Sequence, residues 1–260
     1  MKIGVFDSGL GGLTVLRAIM ELVRGAKIFY VADTLYAPYG EKSFDAILKR
    51  SLTITQYLIE QYQINALVVA CNTATSAAIK QLRQRYPHLI IIGTEPAIKP
   101  AIEQTKTGAI GVMATPATLK GDKYQSLVDR VASDKAVTLY EQACAGLVEH
   151  IEHNTLDSYE SQLLLEEWLK PMREGGVDII VLGCTHYPLA GEAIKKILNR
   201  EVTLIDSGDA IAHYLLHQLH ARGHANQGEL KIDIFHTGEI DTDLVDRILG
   251  EHYGVARVEV

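Results

Sequence analysis

Three thiols stand in the 260-residue chain, and two of them share a context. Cys71 ends the apolar run of ALVVACNTAT (66–75), and Cys184 ends that of IIVLGCTHYP (179–188). Polar residues follow at once, Asn72 and Thr73 in one case and Thr185 and His186 in the other. A thiol titrates near ~8.5, so a tuned one serves as base in one protonation state and acid in the other. Burial as a structural residue is the commoner fate of any single cysteine. Here the whole pattern recurs, which favours chemistry. Cys144 lacks the strand end and the polar turn, and reads as structural. His186 stands two residues beyond Cys184, and its imidazole titrates near neutral pH, so it can position that thiol or exchange protons with it.

Other short stretches carry weaker signals. DSGLGG (7–12) is a glycine-rich turn after an apolar run. It lacks both GxGxxG and the lysine of GxxxxGK[ST], and Arg17 comes too late to replace that lysine, so a nucleotide is not expected. Asp7 and Ser8 suit an ammonium group, with helix capping as the plainer role for Asp7. YAPYG (36–40) is a rigid turn that offers the Tyr39 hydroxyl, and turn chemistry alone accounts for Pro38. EHIEH (149–153) brings Glu149, His150, Glu152 and His153 together, a pattern that usually marks a solvated helix face. Without HEXXH, CxxC or zinc spacing, no metal is expected.

These residues need a scaffold. Apolar runs of strand length occur at 2–6, 27–32, 66–70, 89–93, 109–113, 136–140, 178–183, 202–206 and 231–236. Many are apolar on both faces, as parallel strands covered on each side must be. Amphipathic stretches at 43–62, 75–86 and 159–172 lie between them and read as helices. The alternation predicts an α/β protein with largely parallel sheets. Ligands bind beyond the carboxyl ends of such strands, where both cysteines fall, just before helices. The positive end of a helix lowers a nearby thiol's pKa.

Residues 65–82 and 178–197 repeat one plan of strand, cysteine, polar turn and helix. IGVFDSG (3–9) and IGVMATP (110–116) open two halves alike. We expect two pseudo-symmetric α/β domains with the active site in the cleft between them. The first spans 1–95, with 208–260 packing back on it, and the second spans 96–207.

The net charge of −7, with no basic run, argues against nucleic acid as partner. No apolar stretch reaches the ~18 residues of a membrane span, and the chain enters strand-like sequence without a signal region. A cytoplasmic location is the expectation. An odd number of cysteines argues against a disulfide framework.

In this order and spacing, DSGLGGLTV, YAPYG, ACNTAT and GCTHYP resemble the glutamate racemases of the Asp/Glu racemase superfamily. The resemblance runs from Lys2 to about Asp206. It implies interconversion of L- and D-glutamate without a cofactor, supplying D-glutamate to peptidoglycan. It implies that Cys71 and Cys184 are the two acid/base residues, the first deprotonating D-glutamate and the second L-glutamate. Asp7 and Ser8 would lie beside the substrate amino group and Cys71. Tyr39 and Gly40 would hold the side-chain carboxylate, and Asn72, Thr73 and Thr185 the α-carboxylate and ammonium. His186 and Glu152 would assist Cys184. The segment 143–154 departs from the family in having Ala145 where a proline follows the cysteine. Homodimers are common in the family. Some members carry an extra N-terminal segment linked to activation by a cell-wall precursor, which the early position of Asp7 does not lead us to expect.

Three other readings compete. A racemase for aspartate, or a related decarboxylase, shares the fold class, but one-cysteine chemistry leaves a motif unused. A cysteine hydrolase built on Cys184 and His186 predicts an acyl-enzyme burst and gives Cys71 no role. A binding module for an acidic amino acid predicts no α-proton exchange.

Overall fold

The computed structural model describes residues 1–132 and 135–260, which form two compact units, Met1–Thr94 with Gly208–Val260, and Glu95–Ser207. The first opens with β1 (Lys2–Asp7), α1 (Gly12–Leu22), β2 (Lys27–Ala32), α2 (Phe44–Tyr62), β3 (Ala66–Val69), α3 (Asn72–Arg85) and β4 (Ile90–Gly93). The second comprises α4 (Ile98–Gln104), β5 (Ala109–Ala114), α5 (Pro116–Lys120), α6 (Asp122–Ala132), β6 (Thr138–Ala143), α7 (Leu147–Glu152), α8 (Tyr159–Glu174), β7 (Ile179–Gly183), α9 (Gly191–Leu198) and β8 (Thr203–Ile205). The first unit is completed by α10 (Gly208–Ala221), β9 (Lys231–His236), α11 (Thr242–Leu249) and β10 (Val255–Arg257).

All the strand pairings are parallel, in the orders β10-β9-β2-β1-β3-β4 and β6-β5-β7-β8. Every residue of β3, β5 and β7 is buried, as central strands with helices on both faces require. Within each sheet the strands run second, first, third, fourth: β2-β1-β3-β4 and β6-β5-β7-β8. The direction of winding therefore reverses between the first and third strands, and a crevice opens at their carboxyl ends. The similar openings at 3–9 and 110–116 are the two first strands. The similar stretches at 65–82 and 178–197 begin with the two third strands.

Local chemistry sets the helix ends. Ser43 caps α2, its hydroxyl accepting from the Ala46 N–H at 3.3 Å. At the far end Gln63 turns left-handed, at φ 53°. Helix α3 begins at Asn72, earlier than the amphipathic pattern from 75 indicates, because residues 72–74 are polar or small. The edge strand β10, three partly exposed residues, has no periodicity for a sequence pattern to reveal. Helix α10 packs on α1, and β9 pairs with β2 from Lys27↔Lys231 to Ala32↔His236.

Candidate active site

In the first unit, the crevice between β1 and β3 is built from three segments. Asp7 is the last residue of β1 and is fully buried. Its Oδ2 accepts from the Gly12 N–H at 2.9 Å and the Gly9 N–H at 3.2 Å, so it folds DSGLGG back over the strand end and caps α1. A Cβ on Gly12 would lie 2.5 Å from the Asp7 Cβ and 3.1 Å from the Ala70 carbonyl oxygen, which is why glycine is needed there. Ser8 faces the next strand end, where the Cys71 thiol donates to its hydroxyl at a sulfur–oxygen distance of 3.8 Å.

Cys71 itself caps α3. Its sulfur accepts from the Ala74 N–H at 3.4 Å, the contact a serine oxygen makes at other helix starts. The thiol is 5% exposed and sits at the positive end of a fourteen-residue helix. Asn72 and Thr73 form the first turn of α3 and are buried. Among the described residues, the Asn72 Nδ2 is buried with no hydrogen-bond partner. A buried amide donor carries a desolvation cost until something accepts from it, so Asn72 suits a bound anion.

Tyr39 and Gly40 begin a single helical turn, Tyr39–Glu41, between β2 and α2. Tyr39 is buried in the same cluster as Cys71 and Ala74. Its hydroxyl is not turned to a ligand: it donates to Asp33 Oδ2 at 2.6 Å. Burial, then the Asp33 charge, push the phenol far above its ordinary pKa, so it stays a donor.

In the second unit, Cys184 follows β7 directly and is 7% exposed. Gly183 allows β7 to approach β5 there, since a Cβ would meet the Ala114 Cβ at 2.9 Å. Here the structure departs from the sequence reading. Cys184 does not adjoin a helix start: Thr185 and His186 turn into a short 3-10 segment, Tyr187–Ala190, and α9 begins only at Gly191. The helix-dipole argument therefore applies to Cys71 and not to Cys184.

Cys184 has a different neighbour. Its sulfur lies 4.0 Å from His186 Nδ1, and His186 Nε2 lies 2.7 Å from Glu152 Oε1. His186 is 2% exposed, and Glu152, the last residue of α7, partly covers it. The carboxylate fixes the imidazole's orientation and favours a proton on Nε2, which leaves Nδ1 toward the sulfur. His150, Glu152's neighbour in EHIEH, instead meets Thr155, its Nδ1 3.0 Å from that hydroxyl. Thr185 is buried between Cys184 and His186. Cys144 packs in the cluster that holds Cys184, and its carbonyl accepts from the Tyr187 hydroxyl at 3.1 Å. Burial first, and Cys184 second, raise the Cys144 thiol well above the ordinary range, so it stays protonated.

Two groups escaped sequence reasoning. Thr115 stands where IGVMATP matches Ser8 of IGVFDSG, and its hydroxyl caps α5 through the Thr118 N–H at 3.2 Å. That match was the available signal. Asp33, fully buried just after β2, gave none, because Tyr39, Arg50 and Thr237 converge on it only in the fold.

A thiol–imidazole–carboxylate line serves either a nucleophile or a proton carrier. Comparison with known proteins decides the class. The Asp/Glu/Hydantoin racemase family matches residues 3–215. The glutamate racemase of Aliarcobacter butzleri is 57% identical over 249 residues, 96% of this chain and 95% of that one. The structure of a glutamate racemase from Bacillus anthracis is 31% identical, with a TM-score of 0.85 over 99% of this chain and 97% of that one. One from Francisella tularensis, solved with D-glutamate, is 26% identical, with a TM-score of 0.85 over 100% of this chain and 97% of that one. The chain belongs to the Asp/Glu/Hydantoin racemase family, among the glutamate racemases, and is an amino-acid racemase.

Proposed function

We propose that the protein interconverts L- and D-glutamate by proton transfer between Cα and two thiols, Cys71 and Cys184, with no cofactor, and so supplies D-glutamate for peptidoglycan. The observation that carries the reading is the matched placement of the two cysteines. Each lies just beyond the carboxyl end of the third strand of a 2-1-3-4 strand order, Cys71 two residues after Val69 and Cys184 directly after Gly183. Inversion requires a base on one face of the carbon and an acid on the other. Two units of like topology meet that need when each contributes one thiol.

The surrounding groups take roles that suit their geometry. Asp7 and Ser8 hold the ammonium group and Ser8 orients Cys71. Asn72 and Thr73, at the start of α3, hold the α-carboxylate with Thr185, and donors there stabilise the charge that develops when the α-proton leaves. Tyr39 and Gly40 hold the side-chain carboxylate. His186, oriented by Glu152, carries protons to and from Cys184. No helix among the described residues is long and apolar enough to cross a membrane, and we place the enzyme in the cytoplasm, as a homodimer.

The test is incubation of the purified protein with L-glutamate, without added cofactor, followed by circular dichroism of the substrate. The signal decays to zero for the unaltered protein. Cys71→Ala and Cys184→Ala each slow it by about a thousandfold or more. A folded protein that leaves either enantiomer untouched sinks the reading, as does full activity in either variant.

A further inference from the structure

The substrate-side turn at 36–40 rests on a buried carboxylate that the reaction scheme does not use. Asp33 follows β2 and is fully buried. An ionised carboxylate has about four acceptor sites. Each Asp33 oxygen receives two donors. Oδ2 accepts from the Tyr39 hydroxyl at 2.6 Å and Arg50 Nε at 2.8 Å. Oδ1 accepts from Arg50 Nη2 at 2.6 Å and the Thr237 hydroxyl at 2.9 Å. The guanidinium is a bidentate partner, so the buried charge is both neutralised and fixed in orientation. The third Arg50 nitrogen, Nη1, donates to the Val260 carbonyl at 2.5 Å, and the guanidinium carbon lies 4.2 Å from the centre of the Tyr36 ring.

The backbone at the same residue ties the turn to the strand ends. The Asp33 N–H donates to the Asp7 carbonyl at 2.9 Å, and the Thr237 N–H to the Ala32 carbonyl at 3.1 Å. Thr237 also accepts from the Leu35 N–H at 3.1 Å. Thus β9, β2 and β1 are stapled at their carboxyl ends, and the staple passes through Asp33.

We propose that Asp33 is a positioning residue for substrate recognition: with Arg50 and Thr237 it holds the Tyr39 hydroxyl and so fixes the Tyr39–Gly40 turn. This rests on the reading that the turn holds the side-chain carboxylate of glutamate.

Asp33→Asn leaves a buried guanidinium without its counter-charge, so the test uses variants that each delete one hydroxyl, Tyr39→Phe and Thr237→Val. The side-chain carboxylate does not change charge as the α-proton moves. A loosened turn therefore weakens ground state and transition state alike, raising KM and sparing kcat. Each variant raises the KM for glutamate about fivefold, the value of one hydrogen bond, with kcat within about threefold. Because both act through Asp33, the double variant raises KM by less than the product of the single effects. Unchanged KM in both variants, single effects that multiply, or a loss confined to kcat each overturn the proposal. Racemisation by the unaltered protein is measured alongside. Its absence defeats the proposed function, whereas activity with indifferent variants defeats only the role of Asp33.

Discussion

In the proposed reaction, Glu152 is the residue on which the chemistry of Cys184 turns. Its 2.7 Å contact with His186 Nε2 sets which imidazole nitrogen faces the sulfur. Glu152→Gln keeps the size and a hydrogen-bonding oxygen and removes the charge. The imidazole then loses its favoured tautomer and the counter-charge for its protonated form. We predict a fall in kcat/KM of about a hundredfold, near the lower limit for loss of an acid/base group. The fall is equal for L- and D-glutamate, because enantiomers have equal free energy in water and the equilibrium constant of any racemase is one. Steady-state rates from both enantiomers check this, and undiminished rates remove Glu152 from the proton path. Contacts of this kind are poorly legible in sequence. Glu152 and His186 are 34 residues apart, and their spacing carries no sign of the contact; only the resemblance pointed to it. The Asp33 carboxylate was wholly illegible, because the Thr237 hydroxyl reaches it from 204 residues away.

Elements were more legible, and the reason is burial. Runs such as 66–70 and 178–183 are apolar on both faces because the strands they become are covered on both faces. Where burial lapses the signal fades, as in β10. The opposite end of the second sheet shows what holds the elements in register. Asp178, just before β7, accepts from the Thr105 hydroxyl and the Lys106 N–H, both at 2.6 Å, and from the Thr107 N–H at 3.1 Å. It pins the loop before β5 against the start of β7. Partial burial alone raises this carboxyl, but the three hydrogen bonds outweigh it and hold the pKa below the usual carboxylate value. A group lowered on folding stabilises the folded state above its unfolded pKa of ~3.9, and that contribution is lost as pH falls through the folded value. Asp178→Asn should therefore cost about 2 kcal/mol at neutral pH, and the difference from the unaltered protein should close in strong acid. Urea denaturation across that pH range measures it, and a difference independent of pH assigns the effect to shape and not to charge.

At the scale of the whole molecule, the proposed reaction makes a demand that neither unit can meet alone. One thiol must take the α-proton while the other, on the opposite face, delivers a different one. In D₂O the thiol that delivers carries deuterium before substrate arrives, and the sulfur that takes the α-proton is a thiolate. The proton taken from Cα stays on the first thiol, and the product receives deuterium from the second. Product collected at early times should therefore carry one α-deuterium, and recovered substrate should carry none. The two-thiol scheme has an optical corollary. Deuterated product reverts more slowly than protiated substrate reacts, provided that proton transfer limits the rate. The circular dichroism then crosses zero before returning to it, with mirror-image curves from L- and D-glutamate. A single thiol serving both faces would hand back the proton it had taken, so its product would retain protium and its signal would decay without crossing. Mass analysis of the first product formed from each enantiomer separates the two schemes. Protium retained in either direction would show that Cys71 and Cys184 do not divide the work between two faces.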